Sequence, residues 1–211
     1  MTMMATGSEL EWQLEVPDVD AVRRWLDGAA ELGEPHRDDH VDTYLDTPDR
    51  KLDRAGYSVR VRLSDEAPVE ATLKSLGGDS GGGLKTRVEL EEELDAAEPA
   101  AVARAPGVVG ERVRELAGSG ELVPLFDIDT RRLVFPLAEG ELSLDETEIR
   151  GPSGAVLGRL SRVEVEVPEG ALADAAPLVE RLQRECGLEP AVLSKYETAR
   201  AASAAVQKEP K

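Results

Sequence analysis

The chain has 211 residues, enough for one large domain or two small ones with a proper core, and its 25 basic against 43 acidic residues leave a net charge of −18. That balance opposes non-specific binding to nucleic acid or to an anionic membrane, while local anion sites stay open. No apolar run approaches the roughly 18 residues of a membrane span, MTMMATGSEL has neither a basic n-region nor an apolar h-region, and the lone Cys186 rules out an internal disulfide framework, so a cytoplasmic protein is expected.

The first element is ELEWQLEV (9–16), whose alternation reads as a half-buried strand. DVDAVRRWLDGAAEL (18–32) has helical spacing and Asp18 as its N-cap. HRDDH sets His36 and His40 four apart, but the segment is polar and loop-like and makes a poor metal site. Strands are expected at DTYLDT (42–47), YSVRVRL (57–63), VEATLKSL (69–76) and LKTRVELE (84–91). Between the last two, GGDSGGGLKT approaches a phosphate loop, yet Leu84 separates Gly83 from Lys85 and a strand follows, so it reads as a hairpin loop. A helical stretch lies within 95–118. Strands return at DTRRLVFPL (129–137), ELSLDETEI (141–149) and SRVEVEV (161–167), with turns at AEGE and GPSG. Helices at 175–186, which ends in Cys186 as a small hydrophobe, and at about 191–205 complete an antiparallel α+β chain. The expected organisation is one domain over 1–200 and a flexible tail or linker over 201–211.

The charged faces segregate by strand. ELEWQLEV places Glu9, Glu11, Gln13 and Glu15 on one face, RVEVEV places Glu164 and Glu166 together, and LSLDE adds Asp145. Other strands carry cations: Arg60 and Arg62, Lys74, Lys85 and Arg87, and either Arg131 or Arg132. Carboxylates two apart on one strand face repel unless a positive group lies between them, and a divalent cation supplies it. Oxygen-only ligands favour Mg²⁺ or Mn²⁺ over zinc. Converging Arg and Lys describe a polyanion site, so metal plus polyphosphate is the simplest combined ligand. If about eight strands close into a barrel, these faces line its lumen.

Seven short motifs in order resemble the CYTH superfamily, the triphosphate tunnel metalloenzymes: ELEWQ, YLDTPDRKL, VRVR, TLK, RVELE, VEVEV and LSKYE, spanning Glu9 to Tyr196. The resemblance implies a closed eight-stranded antiparallel tunnel with flanking helices. Glu9, Glu11, Asp145, Glu164 and Glu166 would hold Mg²⁺ or Mn²⁺. Arg60, Arg62, Lys74, Arg87, Arg132 and Lys195 would hold phosphates, with Lys85 either a further contact or a solvated strand end. Glu9, Glu11 and Lys74 are the implied catalytic set. The motif's lysine is Gln13 here, a substrate-binding candidate that keeps hydrogen bonding and loses charge.

The implied function is metal-dependent hydrolysis of a triphosphate. With 3% aromatic residues a base pocket is not evident, so inorganic triphosphate is the leading substrate. The alternatives are a polyphosphate- or nucleotide-binding module with weak catalysis and a class IV-like adenylyl cyclase. The expected partners are a small triphosphate or polyphosphate, with no nucleic acid and no membrane, and a homodimer is compatible with the reading.

Overall fold

The computed structural model describes residues 7–65, 67–78 and 81–207 and, within them, the side chains from Leu10 to Val206. In chain order the elements are β1 (Gly7–Glu15), α1 (Val19–Asp27), β2 (His36–Arg37), β3 (His40–Asp46), α2 (Lys51–Arg54), β4 (Tyr57–Ser64), β5 (Glu70–Ser75) and β6 (Leu84–Glu93). There follow α3 (Pro99–Arg104), α4 (Val108–Ala117), β7 (Val123–Pro136), β8 (Glu141–Arg150), β9 (Val156–Glu166), α5 (Leu172–Cys186), β10 (Glu189–Pro190) and α6 (Lys195–Gln207). The strand order is β1-β6-β5-β4-β3-β7-β8-β9, and β9 pairs back onto β1, so eight antiparallel strands close on themselves. Closure satisfies the backbone groups that an open sheet leaves at its edges. The two-residue strands β2 and β10 attach to β7 and β1.

Alternation decides what faces out. Leu10, Trp12 and Leu14 of β1 and Val163 and Val165 of β9 are buried. The last four of these pack in one cluster with Val22 and Leu26 of α1 and Val179 and Leu182 of α5. On the opposite flank Val59, Val61, Ala71 and Leu73 pack with Val109 and Val113 of α4. On these two flanks the barrel's apolar surface is thus outside, under helices, and the alternating polar residues of the same strands turn inside. Each fully buried aliphatic side chain in these clusters stabilises the fold by roughly 1.5–3 kcal/mol.

The helix over 18–32 is shorter than expected, because Gly28 caps α1. At its start the Asp18 carboxylate accepts from the Ala21 N–H at 3.0 Å, as the N-cap reading required. The stretch 95–118 divides into α3 and α4, since the Gly107 and Val109 amides both turn to the Glu92 carboxylate between them. β7 begins at Val123, upstream of the expected 129, because VPLFDI is an apolar run without a polar alternation. The last helix, expected at about 191–205, runs Lys195–Gln207, in an alanine-rich segment with high helix propensity.

GGDSGGG links the paired strands β5 and β6 as a hairpin, with Asp79 and Ser80 outside the described residues. AEGE and GPSG likewise join β7 to β8 and β8 to β9. Gly140, in the first of these turns, has φ +96°, and a Cβ there would meet the Glu166 carbonyl oxygen at 2.1 Å. Only glycine fits both the backbone angle and that approach.

Candidate functional site

The lumen encloses a cavity of about 220 Å³ lined almost wholly by charged and hydroxylated side chains. One wall is basic. Arg60 and Arg62 of β4, Lys74 of β5 and Arg87 of β6 line it, as alternation along VRVR, TLK and LKTR demands. At the edge of this wall, on the neighbouring strand β3, lies Asp42. Arg62 Nε and Nη2 donate to its two oxygens at 2.8 and 2.9 Å, and Arg60 Nη1 donates at 2.9 Å. Burial would raise the Asp42 pKa, but the two guanidiniums outweigh it and hold the carboxyl well below the usual range. Asp42 was not among the expected site residues. Its signal is its register opposite Arg62, which only the β3–β4 pairing reveals.

The opposite wall, from β1, β7, β8 and β9, carries the carboxylates. Glu11 and Gln13 of β1 face Glu166 and Glu164 of β9, and Glu141 of β8 pairs across from Glu166. Glu141 also lines the cavity and was missed, because it sits at a strand end beside a turn. Of the adjacent arginines, Arg132 is the inner one. It grips Asp145 with Nε and Nη2 at 2.9 and 2.7 Å, and its Nη2 also reaches Glu164 at 2.7 Å. Arg131, opposite Glu146, faces the outer surface.

Lys195 joins this cluster, reaching Glu164 at 2.9 Å and pairing with Asp145. The local sequence places it. Ser194 and Glu197 form a reciprocal N-terminal cap of α6, with the Glu197 N–H on Ser194 Oγ at 3.2 Å and the Ser194 N–H on Glu197 Oε2 at 2.9 Å. Lys195, just inside the cap, points into the lumen, and Tyr196 packs its ring 5.2 Å from Tyr44. The Asp in YLDTPDRKL is a cap too: Asp46 accepts from the Leu52 and Asp53 N–H groups of α2 at 3.0 and 3.1 Å. Apart from Tyr44, which lines the cavity, that motif builds the wall.

The remaining expected residues fall as follows. Asp145 is wholly buried beneath Arg132 and Lys195 and is not among the described residues that line the cavity. Glu166 is solvent-exposed at one end of the lumen. Lys85 is buried, so it is no solvated strand end, and it lines a neighbouring cavity of about 110 Å³ with Arg87 and Ser194. Glu9 is placed opposite Arg87 by the strand register, and its side chain lies outside the described residues. Arg162 is a further buried cation that sequence reading missed. It donates to the Leu193 carbonyl at 2.9 Å and pairs with Glu15 at 3.0 Å.

The two signs interlock. Arg87 donates to Glu11 at 2.7 Å, Lys74 pairs with Glu89 at 3.1 Å, and Arg132 and Lys195 hold Glu164. Burial alone would raise the Glu164 pKa, but Lys195 and Arg132 hold it well below the ordinary value. A polyanion entering the lumen would exchange carboxylate partners of these cations for its own oxygens. Their desolvation would already have been met by the fold.

A metal ion fits by donor chemistry. Glu11, Glu164, Glu166 and Glu141 offer only hard oxygen donors on adjacent strands. Among the described residues no three Asp, Glu, His or Cys side chains converge closely enough to hold an ion on their own. Beyond the described carboxylates, the cation would draw oxygens from Glu9, from a phosphate, from water or from a neutral side chain.

His40 borders the basic wall. Its Nδ1 lies 2.9 Å from the Asp38 carbonyl oxygen, and Nε2 faces Asp42 at 3.8 Å. Burial, and next the charge of Arg62, lower its pKa from 6.5 to about 4. The unfolded chain therefore gains a proton here as pH falls through 6.5, whereas the folded chain gains it only near 4. Stability contributed by His40 is complete above about pH 6.5 and declines towards pH 4. Urea midpoints should fall across that window, and His40→Gln should flatten the fall. An equally steep fall in the variant would assign it to other groups. The depressed carboxyls of Asp42 and Glu164 lose their contributions at lower pH still.

No curated protein sequence matches the chain significantly. Among solved structures, a candidate adenylyl cyclase from Hippeastrum, described as revealing a dominant triphosphatase activity, is 25% identical with a TM-score of 0.73, covering 92% of this chain and 95% of that one. A candidate adenylate cyclase from Bacillus halodurans is 19% identical with a TM-score of 0.61, covering 91% and 98%. The Mediator head module of Schizosaccharomyces pombe contains a chain 12% identical with a TM-score of 0.58, covering 87% and 98%. The last two show the fold alone, and their different names show that the fold does not settle an activity. The CYTH domain model matches residues 8–195, which span the whole barrel and its lumen, and the chain therefore belongs to the CYTH domain family.

Proposed function

We propose that the protein hydrolyses a phosphoanhydride bond of a small triphosphate held in the lumen, with inorganic triphosphate as the leading substrate. One observation carries this reading: six basic side chains, Arg60, Arg62, Lys74, Arg87, Arg132 and Lys195, line one cavity together with the carboxylates of Glu11, Glu164 and Glu166. The dominant triphosphatase activity described for the Hippeastrum protein, similar over nearly the whole chain, supports it.

The guanidiniums of Arg60, Arg62, Arg87 and Arg132 offer paired N–H donors that match phosphate oxygens, while Lys74 and Lys195 add point charges. Because these groups are held by Asp42, Glu89 and Asp145 before any substrate arrives, little reorganisation accompanies charge development on the phosphates. Asp145 acts as a positioning residue for Arg132 and Lys195. Glu9, Glu11, Glu164 and Glu166, with Glu141, would hold Mg²⁺ or Mn²⁺, which when bound neutralises phosphate charge and makes water more acidic. The walls limit contact with bulk water, which strengthens the buried charged contacts. Phosphoryl transfer of this kind needs no side-chain nucleophile.

The deciding experiment incubates the protein with inorganic triphosphate, thiamine triphosphate, long-chain polyphosphate and ATP, each with Mg²⁺ or Mn²⁺. Phosphate, pyrophosphate and cyclic AMP are measured separately. Phosphate release fastest from inorganic triphosphate is expected. Cyclic AMP and pyrophosphate as main products would replace the reading with a cyclase, and tight binding without turnover would replace it with a binding module.

A further inference from the structure

Gln13 contributes an unusual atom to the acidic side of the lumen. The residue is 4% exposed and lines the cavity, yet its carbonyl Oε1 is buried without a hydrogen-bond partner. The amide's orientation is fixed by its neighbours. Nε2 donates to Glu11 Oε1 at 2.8 Å and leans towards Glu164 Oε1 at 3.4 Å. The reverse orientation would set a carbonyl oxygen against two carboxylates. The acceptor therefore lies on the other side of the amide, buried and without a donor.

A buried carbonyl without a donor is unfavourable, so its occupant matters. A phosphate oxygen cannot satisfy it, because both are acceptors. The basic residues of the far wall are engaged with Asp42, Glu89 and Glu11. A water could donate to it, but a hard cation would satisfy it and also offset the two flanking carboxylates. Among the described residues no three acidic, His or Cys side chains converge closely enough to hold an ion, so a further oxygen ligand beside Glu11 and Glu164 would strengthen such a site. The amide oxygen can supply one. It shares a strand face with Glu11 two residues away and sits directly across from Glu164.

We propose that Gln13 Oε1 ligates a divalent cation together with the carboxylates of Glu11 and Glu164. This rests on the reading of the lumen as a metal and triphosphate site, and it assigns Gln13 to the cation and not to the phosphates.

Calorimetric titration of the full chain with Mn²⁺, without triphosphate, tests it. Gln13→Met keeps the size of the side chain and removes the oxygen, and it should weaken Mn²⁺ binding by about tenfold or more. Gln13→Glu keeps an oxygen and should bind at least as tightly as the parent. Because methionine also releases Glu11 and Glu164 from the amide, unchanged or tighter binding by Gln13→Met would overturn the inference. If Glu11→Gln then still abolishes binding, the cation reading of the lumen survives without Gln13. No Mn²⁺ binding by the parent, with triphosphate binding intact, would overturn both. Should Gln13→Met fail to fold, the side-chain amide resonance of Gln13 in labelled parent protein decides. Broadening by substoichiometric Mn²⁺ is expected, and its absence overturns the inference.

Discussion

Replacing Arg132 by methionine should lower the stability of the protein by about 3–5 kcal/mol, a loss of roughly 10 °C or more in Tm for a chain of this size. Asp145 is wholly buried and Glu164 nearly so, and Arg132 supplies both with charge-assisted contacts at 2.7–2.9 Å. Without it, Lys195 is left to pair with both buried carboxylates. The Glu164 carboxyl, which Lys195 and Arg132 hold below its ordinary value, would then titrate higher in the folded state. The variant should accordingly recover stability relative to the parent as pH falls through the carboxylate range, the reverse of the parent's acid response. The double variant Arg132→Met, Asp145→Leu should regain much of the Tm, since a buried ion pair is replaced by apolar packing, but not the affinity for triphosphate. Urea unfolding and triphosphate titration on both variants separate the two roles. A single variant as stable as the parent would show that Lys195 alone satisfies the cluster.

Glu166→Gln should reduce metal-dependent phosphate release by on the order of a hundredfold or more, about 2.7 kcal/mol or more in barrier, while leaving the melting temperature within a degree or two. Glu166 is exposed at one end of the lumen, where solvent screens its charge. Glu11→Gln should lose comparable activity and also stability, because Glu11 is 5% exposed and accepts from Arg87 at 2.7 Å and from Gln13 at 2.8 Å. Mutual repulsion along the ladder ELEWQLE alone would suggest that loss of either charge is harmless to the fold. The interlocked cations make the two cases differ. Full activity in Glu166→Gln would remove this residue from the site, and an unchanged melt for Glu11→Gln would show that its partners are weakly coupled to folding.

Much of the architecture is legible in the sequence because strand side chains have a period of two. Leu10, Trp12 and Leu14 against Glu11 and Gln13, or Val163 and Val165 against Glu164 and Glu166, announce an apolar outside and a charged inside before any strand is paired. The caps are equally local: Asp18 before α1 and Ser194 with Glu197 at α6 lie within one turn of the groups they satisfy. What alternation cannot supply is which strands are neighbours. Only the β3–β4 pairing puts Asp42 between Arg60 and Arg62, and only β8–β9 sets Glu141 against Glu166. The choice between Arg131 and Arg132 needed the register of β7 against β8, because a slip of one residue exchanges the two faces. The burial of Asp145 under Arg132 and Lys195 joins three segments far apart in the chain, and charge neutralisation across a closed lumen is a property of the barrel that none of those segments carries alone.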